Sequence, residues 1–228
     1  MYNEKRTNFI NEQIYQSLRQ DIVLLRYVPG TKLSENSIAV KYGVSRAPVR
    51  LVFQRLAAER LVQIEPQRGT FVTKLDLNYI MSITYMRQCV ESDMLKKLAQ
   101  EGDPAFFQEM ADNLRQQQEL LAQDPKDFYA FNQLDNKFHR LCYCAQKKAP
   151  LWEIIEQSSA HYMRYRMLDL VAEDSCQKTY EAHRQLYSFI VANQPEKLER
   201  AIYDHLYGNL REFEAAIQDR YQEFFIIS

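Results

Sequence analysis

Residues 28–72 read VPGTKLSENSIAVKYGVSRAPVRLVFQRLAAERLVQIEPQRGTFV, and the turns and apolar spacing of this stretch decide the fold of the first third of the chain. Ser34 suits the N-cap of a short helix carrying Ile38 and Ala39, and Gly43 follows where the backbone needs a positive φ. Ser45 then opens a second helix, in which Val49, Val52, Phe53 and Leu56 form one apolar stripe. Arg46, Ala47, Arg50 and Gln54 fall on the opposite face, and Pro48 is tolerated in the first turn. Two alternating segments, Leu61 to Glu65 and Thr70 to Thr73, flank Pro66-Gln67-Arg68-Gly69 and predict a hairpin with Arg68 at its tip. Upstream, Ile10, Ile14, Leu18, Ile22 and Leu25 recur at helical steps as far as the turn Pro29-Gly30. Three helices followed by a hairpin, in this order, make a winged helix-turn-helix.

A helix that presents Arg46 and Arg50 at i, i+4 suits the major groove, where guanidinium forks bond guanine or phosphate bidentately. The plainer alternative is an ordinary solvated basic face. Charge supports the first reading. Residues 1–75 carry 12 Lys and Arg against 6 Asp and Glu, a net of +6, whereas residues 76–228 carry 17 against 24, a net of -7. A basic module of residues 1–75 joined to an acidic one of residues 76–228 points the first toward a polyanion.

The quoted stretch resembles the DNA-binding domain of the GntR family of bacterial transcription regulators. The resemblance implies operator contacts from Arg46, Arg50, Arg68 and Gly69, with Ser45 holding a phosphate and Ala47 beside the bases. Two positions depart from the family pattern. Leu51 stands where an acidic residue commonly follows the helix arginine, and Arg60 replaces the glycine expected after the helix, where a left-handed conformation costs a non-glycine residue about 1 kcal/mol.

The remainder is helical in pattern. The 228 residues hold only 5 Gly and 7 Pro, too few for the turns of a sandwich or barrel, and 46% are hydrophobic without any long apolar run. No membrane span or secretory signal is expected, and the reading is a cytoplasmic protein with four reduced cysteines, none in a CxxC pair. Breaks at Gly102-Asp103-Pro104, Asp124-Pro125, Ala149-Pro150, Glu173-Asp174-Ser175 and Asn193-Gln194-Pro195 delimit about six helices, each proline beginning the next one, in an antiparallel bundle. The fold class is thus mainly α, an N-terminal winged helix-turn-helix followed by an all-helical bundle.

Within the bundle several polar residues face inward. Asp135 and His139 lie at i, i+4 beside the stripe Phe128, Phe131, Phe138, Cys142; His183 shares a face with Leu186, Tyr187 and Ile190; and His205 lies with Leu198 and Ile202. Each histidine alone reads as a core residue bonded to a backbone carbonyl. Taken together with a carboxylate that is costly to bury unpaired, the four groups suit a divalent cation, zinc first, with nickel or manganese as alternatives. Arg87 interrupts the stripe Ile80, Ile83, Val90, Met94 and needs either an anion or its i+4 neighbour Glu91.

Residues 77–220 are similar to the FCD domain, the ligand-binding module of the FadR subfamily of GntR regulators. Its metal-binding members carry an Asp-x3-His on one helix and single histidines on two later ones, which implies Asp135, His139, His183 and His205 as ligands. The same resemblance places Arg87 in the effector cavity, implies a small carboxylate as effector, and leaves His161 as a pocket or boundary residue outside the ligand set. The expected protein is a homodimeric, ligand-responsive binder of double-stranded operator DNA and no enzyme. A metal-dependent hydrolase with an appended winged helix is the rival reading.

Overall fold

The computed structural model describes residues 2–158, 160–172 and 174–226. The first helix, α1 (Tyr2–Val23), buries Ile14, Leu18 and Ile22 against the helix-turn-helix, while Leu25 lies past its end with φ 58°. The short α2 (Glu35–Tyr42) begins where the Ser34 hydroxyl accepts the Ser37 N–H, and it ends on Gly43 at φ 63°. Helix α3 (Arg46–Ala58) buries Val49, Val52, Phe53 and Leu56 and exposes Arg46, Ala47, Arg50 and Gln54, so the apolar stripe forms as its spacing predicts. Ser45 occupies the N-cap position in extended conformation, but its hydroxyl makes no capping hydrogen bond.

The wing is the antiparallel hairpin β2 (Val62–Glu65) and β3 (Gly69–Val72), with Val62 opposite Val72 and Glu65 opposite Gly69. A two-residue strand, β1 (Lys32–Leu33), adds to the other side of β3 and was not expected from the sequence. Gly69 has φ 122°, a backbone conformation that strains any side chain, while the nearest atom to a Cβ there is the movable end of Lys32 at 2.9 Å. Arg60, after α3, adopts φ 59°, the left-handed conformation expected at the missing glycine.

A connector strand, β4 (Leu75–Asp76), pairs in parallel with β5 (Phe225–Ile226) near the other end of the chain. The bundle follows as α4 (Leu77–Glu101), α5 (Pro104–Leu121), α6 (Phe128–Ala145), α7 (Ala149–Ser158), α8 (Ala160–Ala172), α9 (Cys176–Val191) and α10 (Pro195–Arg220). Asp76, Asp103 and Asp127 each cap a helix by accepting a backbone N–H. The expected break after Ala172 falls at Glu173, which lies outside the described residues, and Asp174, which has φ 48°. Pro104, Pro150 and Pro195 open helices as predicted, but Pro125 lies in the loop ahead of α6. Proline tolerates both settings, and Asp127, two residues later, supplies the cap that starts this helix. One buried apolar cluster includes Ile14 and Leu56 of the winged module and Leu98, Phe138 and Ile202 of the bundle. No helix among the described residues is long and apolar enough to cross a membrane.

Candidate DNA-binding face and metal centre

On the winged module the expected contact residues are exposed, except Gly69, which is half-buried. Ser45, Arg46 and Ala47 form the start of α3, Arg50 follows one turn later, and Arg68 is exposed at the hairpin tip beside Gly69. The acidic neighbour missing at Leu51 is supplied from another element. Glu35, first residue of α2, accepts from Arg50 Nε at 3.3 Å and Nη2 at 3.2 Å, so a two-point pair orients the guanidinium at the mouth of the motif. The pair is exposed and therefore weak, which leaves Arg50 free to exchange it for a phosphate or a base edge.

In the bundle, Asp135, His139, His183 and His205 converge, each offering one ligand atom within 4.8 Å of the others. His139 Nε2 lies 3.0 Å from His205 Nε2, His183 Nε2 lies 3.2 Å from the same atom, and Asp135 Oδ1 is 3.4 Å from His183 Nε2. The far sides of two rings are already committed. His139 Nδ1 faces Glu91 Oε2 at 2.7 Å and His183 Nδ1 faces Gln117 Oε1 at 3.0 Å. Both oxygens only accept, so each Nδ1 carries the proton and each Nε2 presents a bare lone pair. One proton on His205 can satisfy only one of these two lone pairs, whereas a cation satisfies all of them. Atoms sharing one ion at about 2.0–2.1 Å stand about 3 Å apart, close to three of the separations found, although His139 Nε2 and Asp135 Oδ1 are 4.0 Å apart; three imidazoles and one carboxylate are a donor set that fits a divalent metal.

The local electrostatics agree. Burial pushes the His183 imidazole down to about 3 against the pull of Asp135, and burial together with its two neighbouring histidines holds His205 well below the ordinary range. Burial alone would raise the Asp135 carboxyl, but Arg166, His139 and His183 keep it below its usual value. Neutral imidazoles beside an ionised carboxylate are the protonation states that a metal requires. Phe138 stacks on His183 with ring centroids 4.0 Å apart and fixes its plane. The Gln117 amide is held in turn by Asn113, which donates to the Leu134 carbonyl. An open cleft of about 390 Å³ between α9 and α10 reaches His205, passing the small side chains Ala182 and Ala201.

Arg87 is fully buried, and of the two roles that the sequence left open the structure holds the pair with Glu91. Its Nε donates to Glu91 at 2.7 Å, which is the intrahelical pair, and its Nη1 donates to the Tyr162 hydroxyl at 2.6 Å. The remaining nitrogen, Nη2, has no partner among the described residues, and neither does the buried Nε1 of Trp152, whose ring lies 5.6 Å from the guanidinium. Burial works to raise the Glu91 carboxyl, but Arg87 and His139 bring it down to about 2. Gln117, Tyr162 and Trp152 were missed by sequence reasoning, and Glu91 was read only as the partner of Arg87, not of His139. A signal existed for one of them, because Gln117, with Asn113 four residues before it, interrupts the apolar stripe of Phe106, Met110 and Leu114.

His161 lies away from the ligand set, at the boundary with the connector, where its Nδ1 accepts the Asp76 N–H at 3.2 Å.

Comparison with known proteins joins the two sites to a family. Residues 10–72 match the model of "Bacterial regulatory proteins, gntR family" and residues 82–208 match that of the FCD domain. The HTH-type transcriptional repressor RspR of Escherichia coli (strain K12) is 32% identical over 200 residues, 88% of this chain and 87% of that protein. An HTH-type transcriptional regulator from an unstable DNA locus of Streptomyces ambofaciens is 33% identical over 201 residues, 88% of this chain and 83% of that protein. Among solved structures, a transcriptional regulator from Rhodococcus sp. RHA1 superposes with a TM-score of 0.69 at 23% identity, covering 90% of this chain and 98% of that one. Escherichia coli McbR/YncC gives 0.67 at 18%, covering 91% and 98%. The matched family and the two sequence relatives are regulators, which removes the metal-dependent hydrolase as a reading of the four ligands.

Proposed function

The chain belongs to the GntR family of bacterial transcription regulators, with an FCD domain as its bundle, and from that premise we propose that a metal and a small carboxylate in the bundle set its affinity for operator DNA. Residues 1–75 read the operator through Arg46, Arg50, Arg68 and Gly69, with Ser45 on a phosphate and Ala47 against the bases. Residues 76–228 hold the metal, bind the effector and form a homodimer, as in the FadR subfamily. One recognition helix and one wing cover too few base pairs for useful specificity, and a two-fold pair on a palindrome doubles them.

The reading is carried by one observation, the convergence of three imidazole nitrogens and a carboxylate in which the outer partners of His139 and His183 turn two bare lone pairs toward His205, whose single proton can satisfy only one of them. Asp135, His139, His183 and His205 would hold a divalent ion, zinc first and nickel or manganese next, and the ion would supply a Lewis-acidic anchor for a carboxylate. The protein's own contribution is the rest of the anion site. Glu91 and Gln117 fix the imidazole tautomers, Tyr162 and Glu91 hold Arg87 in place, and the free Nη2 of Arg87 with Nε1 of Trp152 offers two buried donors to an incoming oxygen. A hydroxy acid or sugar acid matches this set by charge.

Elemental analysis of protein prepared without chelator, combined with selection of bound genomic fragments in the presence and absence of small hydroxy acids, tests the proposal. One divalent ion per chain and a carboxylate-dependent change in recovered fragments are expected. Metal-free protein that gains no thermal stability from zinc, nickel or manganese would remove the metal from the reading.

A further inference from the structure

Helix α8 separates the bundle site from the DNA-binding module, and it is buried on nearly every side although it carries two arginines, a histidine and an aspartate. Tyr162, Arg166 and Asp169 share one face at i, i+4 and i+7. This face meets the candidate ligand site: the Tyr162 hydroxyl accepts from Arg87, and Arg166 donates to Asp169 at 2.8 Å and reaches Asp135 Oδ1 at 3.5 Å. His161 and Arg164, at i and i+3, point the other way, toward the connector. Arg164 Nη1 donates to the Thr73 carbonyl at 2.6 Å and Nη2 to the Thr73 hydroxyl at 2.9 Å, while His161 takes the Asp76 N–H.

Arg164 is an unusual residue to bury there. It is fully enclosed, no carboxylate among the described residues pairs with it, and burial alone pulls it down to about 9. A guanidinium that costs this much to enclose, and that spends two of its donors on one threonine of a connector, is placed there for that grip. Thr73 carries the contact onward. Its hydroxyl donates to the Arg60 carbonyl at 2.6 Å and also lies 3.2 Å from the Leu61 carbonyl, and these two residues follow Glu59, the C-cap of recognition helix α3. The Arg60 guanidinium lies over the Tyr79 ring, which in turn meets His161 at 5.5 Å between centroids.

We propose that Arg164 is a positioning residue which, through Thr73, sets the orientation of the recognition helix against α8, so that ligation at Asp135 and Arg87 reaches the DNA-binding face by movement of α8. The inference rests on the ligand site proposed above and adds its route of control. The route consists of packed, hydrogen-bonded groups throughout, and an element gripped on two faces by polar networks can shift both together.

Amide hydrogen exchange of the full chain with and without zinc, followed at residues 73–76 and at the end of α3, tests it. In the parent, zinc slows exchange at the connector severalfold. Thr73→Val and Arg164→Met bind zinc as tightly as the parent, by chelator competition, yet lose the connector response, and Thr73→Ser restores it. A purely structural role for Arg164 would lower stability without separating these two readouts. Persistence of the response in Thr73→Val overturns the proposal even if Arg164→Met fails to fold. If zinc does not bind, the metal reading has failed, and Tyr162→Phe, which perturbs α8 from the pocket side without any ligand, decides the route. Altered exchange at residues 73–76 in that variant supports the proposal, and unchanged exchange there overturns it.

Discussion

Single side chains decide the chemistry at three places. On α3, Arg46 and Arg50 are exposed and absent from the core, so Arg46→Ala or Arg50→Ala should leave folding intact and weaken operator binding by about 1–3 kcal/mol if the lost contact is bidentate to a base. Equal affinities of both variants and the parent at one fixed salt concentration would show that another surface reads the DNA. In the metal site, His183→Ala should abolish the rise in melting temperature on adding zinc, because a ligand stabilises the fold only by binding it. At the connector, burial lowers His161 from an ordinary 6.5 to about 4, so the folded chain favours the neutral ring and the unfolded chain binds the extra proton. The stability contributed by this group is complete above pH 6.5 and is lost as the pH falls toward 4. His161→Gln should flatten that part of the pH profile of urea unfolding, and an unchanged slope would deny His161 a part in it.

At the scale of elements, legibility followed the distance over which an interaction acts. The stripe of α3, the Ser34 cap, the turn at Gly43 and the hairpin are all written within a few residues of themselves, and periodicity finds them. Asp135 and His139 were legible as an i, i+4 pair, and His183 and His205 as polar interruptions of apolar faces. Glu91 reaches His139 across 48 residues, Gln117 reaches His183 across 66 and Arg164 reaches Thr73 across 91, and no spacing rule connects such pairs. Strands β1, β4 and β5 have two residues each, too few to show an alternation. Arg60 belongs to the legible class, because the end of α3 demands a left-handed residue and the backbone supplies φ 59° at a side chain that resists it. Arg60→Gly should therefore raise unfolding stability by up to about 1 kcal/mol, the gain being reduced by the lost contact with Tyr79. A loss of stability would mean that the ring contact outweighs the backbone strain.

For the whole molecule, the proposed ligand site and the proposed DNA face lie in different modules, so an effector bound there would change DNA binding only by favouring one placement of the winged domains over another. Thermodynamic linkage then makes the effect reciprocal: whatever factor the effector takes from operator affinity, the operator takes from effector affinity. Testing the arginine at the ligand end needs care. Arg87→Ala alone would strand the buried Glu91 carboxylate at a cost of about 3–5 kcal/mol and mix unfolding with loss of response. Arg87→Met combined with Glu91→Gln removes both charges and keeps an oxygen for His139 Nδ1. That pair should retain effector-free DNA affinity while losing the response to a carboxylate, and Arg50→Ala should do the opposite, weakening DNA binding while still binding the carboxylate. Titrations of effector with and without operator, and of operator with and without effector, must close the cycle with one coupling factor. Should the double variant respond like the parent, Arg87 would be a structural partner of Glu91 and Tyr162 alone, and the anion site would lie toward the cleft at His205.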